Sequence, residues 1–223
     1  MSARPAPLVL FDLDGTLVDS RVVVERHWGR FAKRHGLDFA AVLAVMHGVR
    51  SSDVIRLVAP DLDATAEAAL LDAGEEVDTD GLVAVRGAHE ALAELPPGSW
   101  GIVTSGHRSL AERRLGAVGL PVPAAMVCGD EVTRGKPDPE GFLTGARLLG
   151  VAPSACVAVE DAPAGTQAAR AAGMRVIGIT TTHAAAELPD VDGVVGDLSE
   201  FAAALAALPP PPGRQPRRAT PVD

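Results

Sequence analysis

Residues Leu8 to Ser20 read LVLFDLDGTLVDS. From Leu8 to Leu13 the run is apolar apart from Asp12, the pattern of a strand buried on both faces of a parallel sheet. It then opens into a turn. Alternate side chains of a strand share a face, so Asp12 and Asp14 can project toward one pocket. Two carboxylates that close repel unless a proton or a cation lies between them. Gly15 supplies the backbone freedom for a sharp exit. Taken alone, the same residues also fit an ordinary Asp-Gly turn after a strand.

Four more short apolar runs follow along the chain: Trp100 to Thr104, Ala125 to Cys128, Cys156 to Val159 and Val176 to Ile179. Helical stretches separate the later ones, at Ser109 to Gly119, Pro139 to Leu149 and Ala164 to Ala172. Strands alternating with helices predict an α/β fold, a Rossmann-like doubly wound parallel sheet. In such sheets ligands bind beyond the carboxyl ends of the strands, so the residues directly after each run matter most.

One interval breaks the alternation. From about Ser20 to Val85 the sequence is helix-like with no convincing strand, at Arg21 to His35, Phe39 to Met46, Ser52 to Val58 and Ala64 to Val77. That is too long for a loop within a compact domain. It predicts a helical domain, residues 20–85, inserted into a core built from residues 1–19 and 86–208. The segment 209–223, rich in Pro and Arg, is expected to be a disordered tail.

Composition narrows the functional classes. A chain of 223 residues with 47% apolar residues has ample material for a packed core. No apolar run reaches eighteen residues, so no membrane partner is expected. The apolar stretch near the N-terminus is too short for a signal peptide and leads straight into the acidic pair. Cys128 and Cys156 lie in apolar runs and read as buried, reduced thiols of a cytoplasmic protein. A net charge of −9 argues against a nucleic-acid partner. It does not argue against an anionic substrate, because a local cation can reverse the field inside a pocket.

Three further strand ends carry candidate chemistry. IVTSGH places Thr104 at a strand end, followed by Ser105 and Gly106; a hydroxyl and exposed N–H groups near a helix start make a phosphate cradle, although Ser and Thr are also routine helix caps. RGKPDP holds Lys136, one of only two lysines in the chain beside Lys33. Between Gly135 and Pro137 it reads as a point charge on a rigid loop, or as a solvated loop lysine. VAVEDAPAG sets Glu160 and Asp161 directly after an apolar run, as ligands for a hard cation such as Mg²⁺ or, for Asp161, as a helix cap.

In that order, FDLDGT, VTSG, GKPDP and VEDAPAG resemble the four motifs of the haloacid dehalogenase superfamily. The similarity spans essentially the whole chain except the tail, and the helical insert resembles that superfamily's type-1 cap. HGVRSSDVI, LPPGSWGIVTSG and EDAPAGTQAARAAGMRVIGITTTH resemble the sugar-phosphate phosphatases acting on 2-deoxyglucose 6-phosphate or glycerol phosphate. One departure is Arg86 before Gly87, where a Pro is usual, at the cap hinge.

The resemblance implies roles. Asp12 is expected as the nucleophile, forming an aspartyl phosphate, and Asp14 as the general acid and then base. Mg²⁺ is expected on Asp12, the Asp14 backbone carbonyl and Asp161, with Glu160 near or in its shell. Thr104, Ser105, Gly106 and Lys136 are expected to bind the phosphoryl group. His47, Gly48 and Arg50, in a cap loop, are expected to contact a small phosphorylated sugar or polyol; His47 also fits an ordinary surface histidine. The chain is expected to be a monomer or weak homodimer.

Two alternatives stand beside the phosphatase. A β-phosphoglucomutase-like phosphosugar mutase resembles this chain but carries a His where Val24 stands and often a Val where Thr16 stands. A non-catalytic regulatory protein binding a phosphate ligand is expected to have lost Asp12, Asp14 or Lys136, and all three are present. A dehalogenase needs neither a second acid at position 14 nor paired metal-binding acids.

Overall fold

Leu8–Phe11 forms β1, a central strand with no solvent-facing side: Val9 and Phe11 enter one hydrophobic cluster and Leu10 enters another. The structure, a computed structural model, describes residues 8–209. After β1 come β2 (Val18–Asp19), α1 (Arg21–His35), α2 (Phe39–Met46), α3 (Ser51–Val58), α4 (Ala64–Val77) and β3 (Val83–Ala84). The chain continues through α5 (Ala88–Glu94), β4 (Trp100–Val103), α6 (Arg108–Ala117), β5 (Ala125–Val127), α7 (Glu140–Leu148) and β6 (Cys156–Glu160). It closes with α8 (Pro163–Ala171), β7 (Arg175–Ile179), β8 (Gly193–Val195) and α9 (Phe201–Ala207).

Six strands form one parallel sheet in the order β5-β4-β1-β6-β7-β8. Helices cover both faces. Val9, Phe11 and Ile102 pack with Leu92 of α5, Leu115 of α6 and Phe201 of α9. Leu10, Val103 and Ala158 pack with Phe142 of α7 and Ala168 of α8. This is the doubly wound α/β core that the apolar runs predict. From β1 the chain steps outward to β4 and β5 on one side and then crosses to β6 on the other, so the carboxyl ends of β4, β1 and β6 flank a crevice where the strand order reverses.

Helices α1 to α4 have a hydrophobic cluster of their own, which includes Trp28, Phe31, Val42, Ile55 and Leu71. Burying each such side chain is worth about 1.5–3 kcal/mol. Local signals bound these helices. Gly36 closes α1 in the left-handed region after a basic last turn, and Asp38 and Asp63 accept backbone N–H bonds at the starts of α2 and α4.

The structure departs from the sequence reading in three places. The interval read as strand-free contains β3, which pairs antiparallel with β2, so the helical unit enters and leaves through a two-stranded ribbon. Two residues are too few to show a period-2 pattern. Strand β8 is a second addition, a three-residue edge strand whose only buried side chain is Val195. Finally, β1 and β4 end one or two residues earlier than the apolar runs. Asp12 and Thr104 still donate backbone N–H bonds, to Val159 and Val127 at 2.9 Å, but already sit at the mouth of the crevice.

The segment expected to be a disordered tail, 209–223, lies outside the described residues apart from Pro209. Pro209 accepts a bond from Arg175 at 2.8 Å. Among the described residues no helix is long and apolar enough to cross a membrane. Cys128 and Cys156 are free and buried, and burial pushes their thiols up to about 12 and about 11.

Candidate active site

The four strand-end motifs meet at the carboxyl edge of the sheet. Lys136, carried on the loop after β5, is buried and donates to Asp12 Oδ1 at 2.5 Å and to Glu160 Oε1 at 2.6 Å. Glu160 accepts from Ala162 N at 2.9 Å through its other oxygen, which ties the Lys136 partner to the start of α8. Asp161 is held by the Thr182 hydroxyl and, at 3.4 Å, by Thr16 Oγ1.

Asp12, Glu160 and Asp161 bring carboxylate oxygens within 4.8 Å of one another, all three residues buried. Burial pushes the Asp12 carboxyl up to about 7, against the pull of Lys136. Burial, with Glu160 and Asp12 beside it, raises Asp161 well above the usual carboxylate range. The electrostatic reason is a deficit of positive charge: three acids crowd around a single ammonium group. The donor set is oxygen only, which suits a hard divalent cation. Gly15 lies against this cluster with φ of 85°, and a side chain there would overlap the Asp161 carboxylate.

Asp14 is turned away from that cluster. Its carboxylate meets Arg114 Nη1 of α6 at 2.7 Å. Arg114, 3% exposed, also holds Glu75 of α4 at 2.5 Å through Nη2, so one guanidinium joins the sheet domain to the helical unit. Burial pushes Glu75 up to about 7.

A cavity between the helical unit and the sheet edge brings together Asp12, Asp14, His47, Gly48, Thr104, Ser105 and Gly106. Thr104 is buried, and its hydroxyl accepts from Gly106 N at 3.1 Å. Ser105 donates its hydroxyl to the Gly48 carbonyl at 2.8 Å and so engages the helical unit. His47 packs edge-on to His183 at 5.7 Å, and burial lowers its pKa to about 4, so the ring is neutral at pH 7. Arg50 is not brought into this cavity. It pairs with Asp53 at 2.7 Å and reaches the carbonyls of Val132 and Thr133 at 3.2 and 3.3 Å, bracing the helical unit on the core.

The cavity also contains residues that no motif marks: Asp72, Glu75 and Arg114. Glu75 belongs to an ordinary Glu-Glu pair late in a helix and Arg114 to an Arg-Arg pair, both common on solvated faces. A charged residue at a position that the helix buries is the available signal, and it needs the packing partner to be read.

A model of the haloacid dehalogenase-like hydrolase family matches residues 6–173. Hexitol phosphatase A of Escherichia coli (strain K12) is 43% identical over 197 residues, covering 86% of this chain and 91% of that protein. 2-Deoxyglucose-6-phosphate phosphatase 1 of Saccharomyces cerevisiae (strain ATCC 204508 / S288c) is 34% identical over 226 residues, covering 90% of this chain and 91% of that protein. Among solved structures, a hydrolase from Pseudomonas syringae superposes with a TM-score of 0.79 at 25% identity, covering 90% of this chain and 98% of that one. Motif order, sheet topology and these likenesses agree: the chain belongs to the haloacid dehalogenase-like hydrolase family.

Proposed function

We propose that the chain hydrolyses phosphate monoesters of small sugars or polyols through an aspartyl phosphate on Asp12. The observation that carries this reading is the buried Lys136 gripping Asp12 at 2.5 Å, inside a cluster with two more acids and beside Thr104. The similarity to phosphatases of hexitol and deoxyglucose phosphates supports the substrate class.

An Asp12 oxygen attacks phosphorus, and the bond from phosphorus to the ester oxygen breaks. Asp14 gives its proton to the departing alkoxide. Water then attacks the phosphoryl group on Asp12, Asp14 takes the water's proton, and inorganic phosphate leaves with Asp12 regenerated. In the geometry described, Arg114 Nη1 holds the Asp14 carboxylate at 2.7 Å and fixes its position beside the cavity. Thr104 and the N–H groups of Ser105 and Gly106 bind phosphoryl oxygens, the Gly106 N–H by exchanging its bond to the Thr104 hydroxyl for one to the phosphoryl group. Lys136 neutralises phosphoryl charge, and Glu160 holds Lys136 in position.

The acidic cluster fits Mg²⁺. Asp12, Asp161 and the Asp14 carbonyl would hold it, with Glu160 at its edge. The ion, when bound, supplies the positive charge that the three acids lack and that an anionic substrate demands. We read residues 1–19 and 86–208 as the catalytic core and 20–85 as a cap that closes the site to water. Val24 lines the cavity and offers no hydrogen bond, which disfavours the mutase.

The test is phosphate release from a panel of sugar and polyol phosphates with Mg²⁺, repeated in EDTA. Turnover that stops in EDTA and returns with added Mg²⁺ is expected. Release of no phosphate from any ester overturns the phosphatase, and full activity in excess EDTA overturns the metal assignment.

A further inference from the structure

We propose that Asp72, Glu75 and Arg114 form the wall that receives the leaving group, and that Asp72 and Glu75 select a hydroxylated leaving group against one bearing a second anion. The inference rests on the phosphatase reading and goes beyond it by assigning the selecting residues.

Among the described residues lining the cavity, the permanent cations are Arg21 and Arg114. Arg21 is occupied by Asp19, through bonds of 3.0 and 2.8 Å. Arg114 is occupied twice over, by Asp14 and Glu75. His47 adds no charge at neutral pH. Asp72 contributes a further acid on the same helix as Glu75, one turn before it. A carboxylate or a second phosphate placed here meets acids on the helical side with no uncommitted cation to receive it. A site selects as much by what it repels as by what it attracts.

Glu75 Oε1 and Arg114 Nε are buried and have no partner within the protein, and both residues line the cavity. Glu75 is 5% exposed and Arg114 3%. One atom is an acceptor and the other a donor. A hydroxyl donates and accepts, so it can satisfy both kinds of group. A carboxylate or phosphate dianion only accepts and offers Glu75 Oε1 no donor. Ser51 Oγ donates to Asp72 Oδ1 at 2.6 Å, which holds that carboxylate against the cavity wall.

The experiment compares matched esters with the full chain and Mg²⁺: glycerol 3-phosphate with 3-phosphoglycerate, and glucitol 6-phosphate with 6-phosphogluconate. Each pair exchanges a terminal hydroxymethyl group for a carboxylate. Wild-type kcat/KM is expected to favour the polyol by more than about fivefold in both pairs, the scale that a mismatched polar site imposes. Asp72→Asn and Glu75→Gln are each expected to shrink that ratio by about threefold or more, through a lower KM for the acid. A wild-type preference below about fivefold in either pair overturns the proposal. So do variants that slow both members of a pair by the same factor, the signature of a merely structural role. If Glu75→Gln does not fold, the variant at the half-buried Asp72 decides the matter alone. p-Nitrophenyl phosphate separates the two readings. Cleavage of that ester without discrimination within the pairs sinks the selecting wall and leaves the phosphatase standing. If no ester at all is cleaved, both fall.

Discussion

Glu75 of α4 and Arg114 of α6 meet at 2.5 Å with 5% and 4% of their side chains exposed, and the same guanidinium reaches Asp14 at 2.7 Å. The residue expected to move the proton is therefore linked, through one buried cation, to the helical unit that covers the site. Removing one partner of such a pair strands the others.

Arg114→Met leaves Glu75 and Asp14 uncompensated in a low-dielectric pocket. Breaking a buried ion pair typically costs about 3–5 kcal/mol. For a chain of this size that corresponds to a fall in Tm of about 10 °C. The double variant Glu75→Gln/Arg114→Met is expected to recover part of the loss, since a neutral amide replaces one stranded charge. Thermal melts of the two variants decide it; a single variant as stable as wild type overturns the assignment.

Asp12→Asn removes the attacking oxygen and one of three crowded acids. Turnover is expected to fall by at least about three orders of magnitude. The melting temperature in EDTA is expected not to fall, because burial already raises Asp12 and its charge strains the metal-free cluster. Phosphate release close to the wild-type rate excludes Asp12 as the nucleophile.

Gly48 has φ of 73°, and a Cβ there would lie 2.7 Å from Ala162 Cβ, at the junction of the helical unit and the loop after β6. Gly48→Ala is expected to hold the unit off the core and lower kcat/KM about 10- to 100-fold, the penalty of misplacing a site by about 1 Å. Circular dichroism is expected to be unchanged. Wild-type kinetics in this variant show that close docking of the helical unit is not required.

His47 is half-buried, and desolvation lowers its pKa to about 4, against 6.5 for an unperturbed imidazole. Between those values the unfolded chain binds the proton and the folded chain does not, so stability rises with pH through that window and falls as the solution is acidified. From about pH 6.5 to about pH 5 this one group destabilises the fold by at most about 2 kcal/mol. His47→Gln should remove that part of the slope in urea unfolding. Identical slopes for variant and wild type across that window show that the ring is not held neutral.

Much of this protein follows from its sequence without coordinates. The runs at Leu8, Trp100, Ala125, Cys156 and Val176 are legible because a strand buried on both faces must be almost wholly apolar. The candidate site is legible because Asp12, Thr104, Lys136, Glu160 and Asp161 lie at the ends of those runs or on the loops that follow them. Chain connectivity places such residues at one edge of a parallel sheet whatever the side-chain packing.

Packing decided the rest. Asp14 shares the motif of Asp12, yet it turns to Arg114, whose partnership with Glu75 joins residues 39 positions apart. Arg50 shares a loop with His47, yet it braces the core and stays out of the cavity. No local pattern encodes which charged side chain of a helix is buried, because burial depends on the surface that another element brings against it. The sequence alone placed Asp12 and its partners at the ends of strands; only the docking of α4 against α6 brought Asp72, Glu75 and Arg114 together in the cavity beside them.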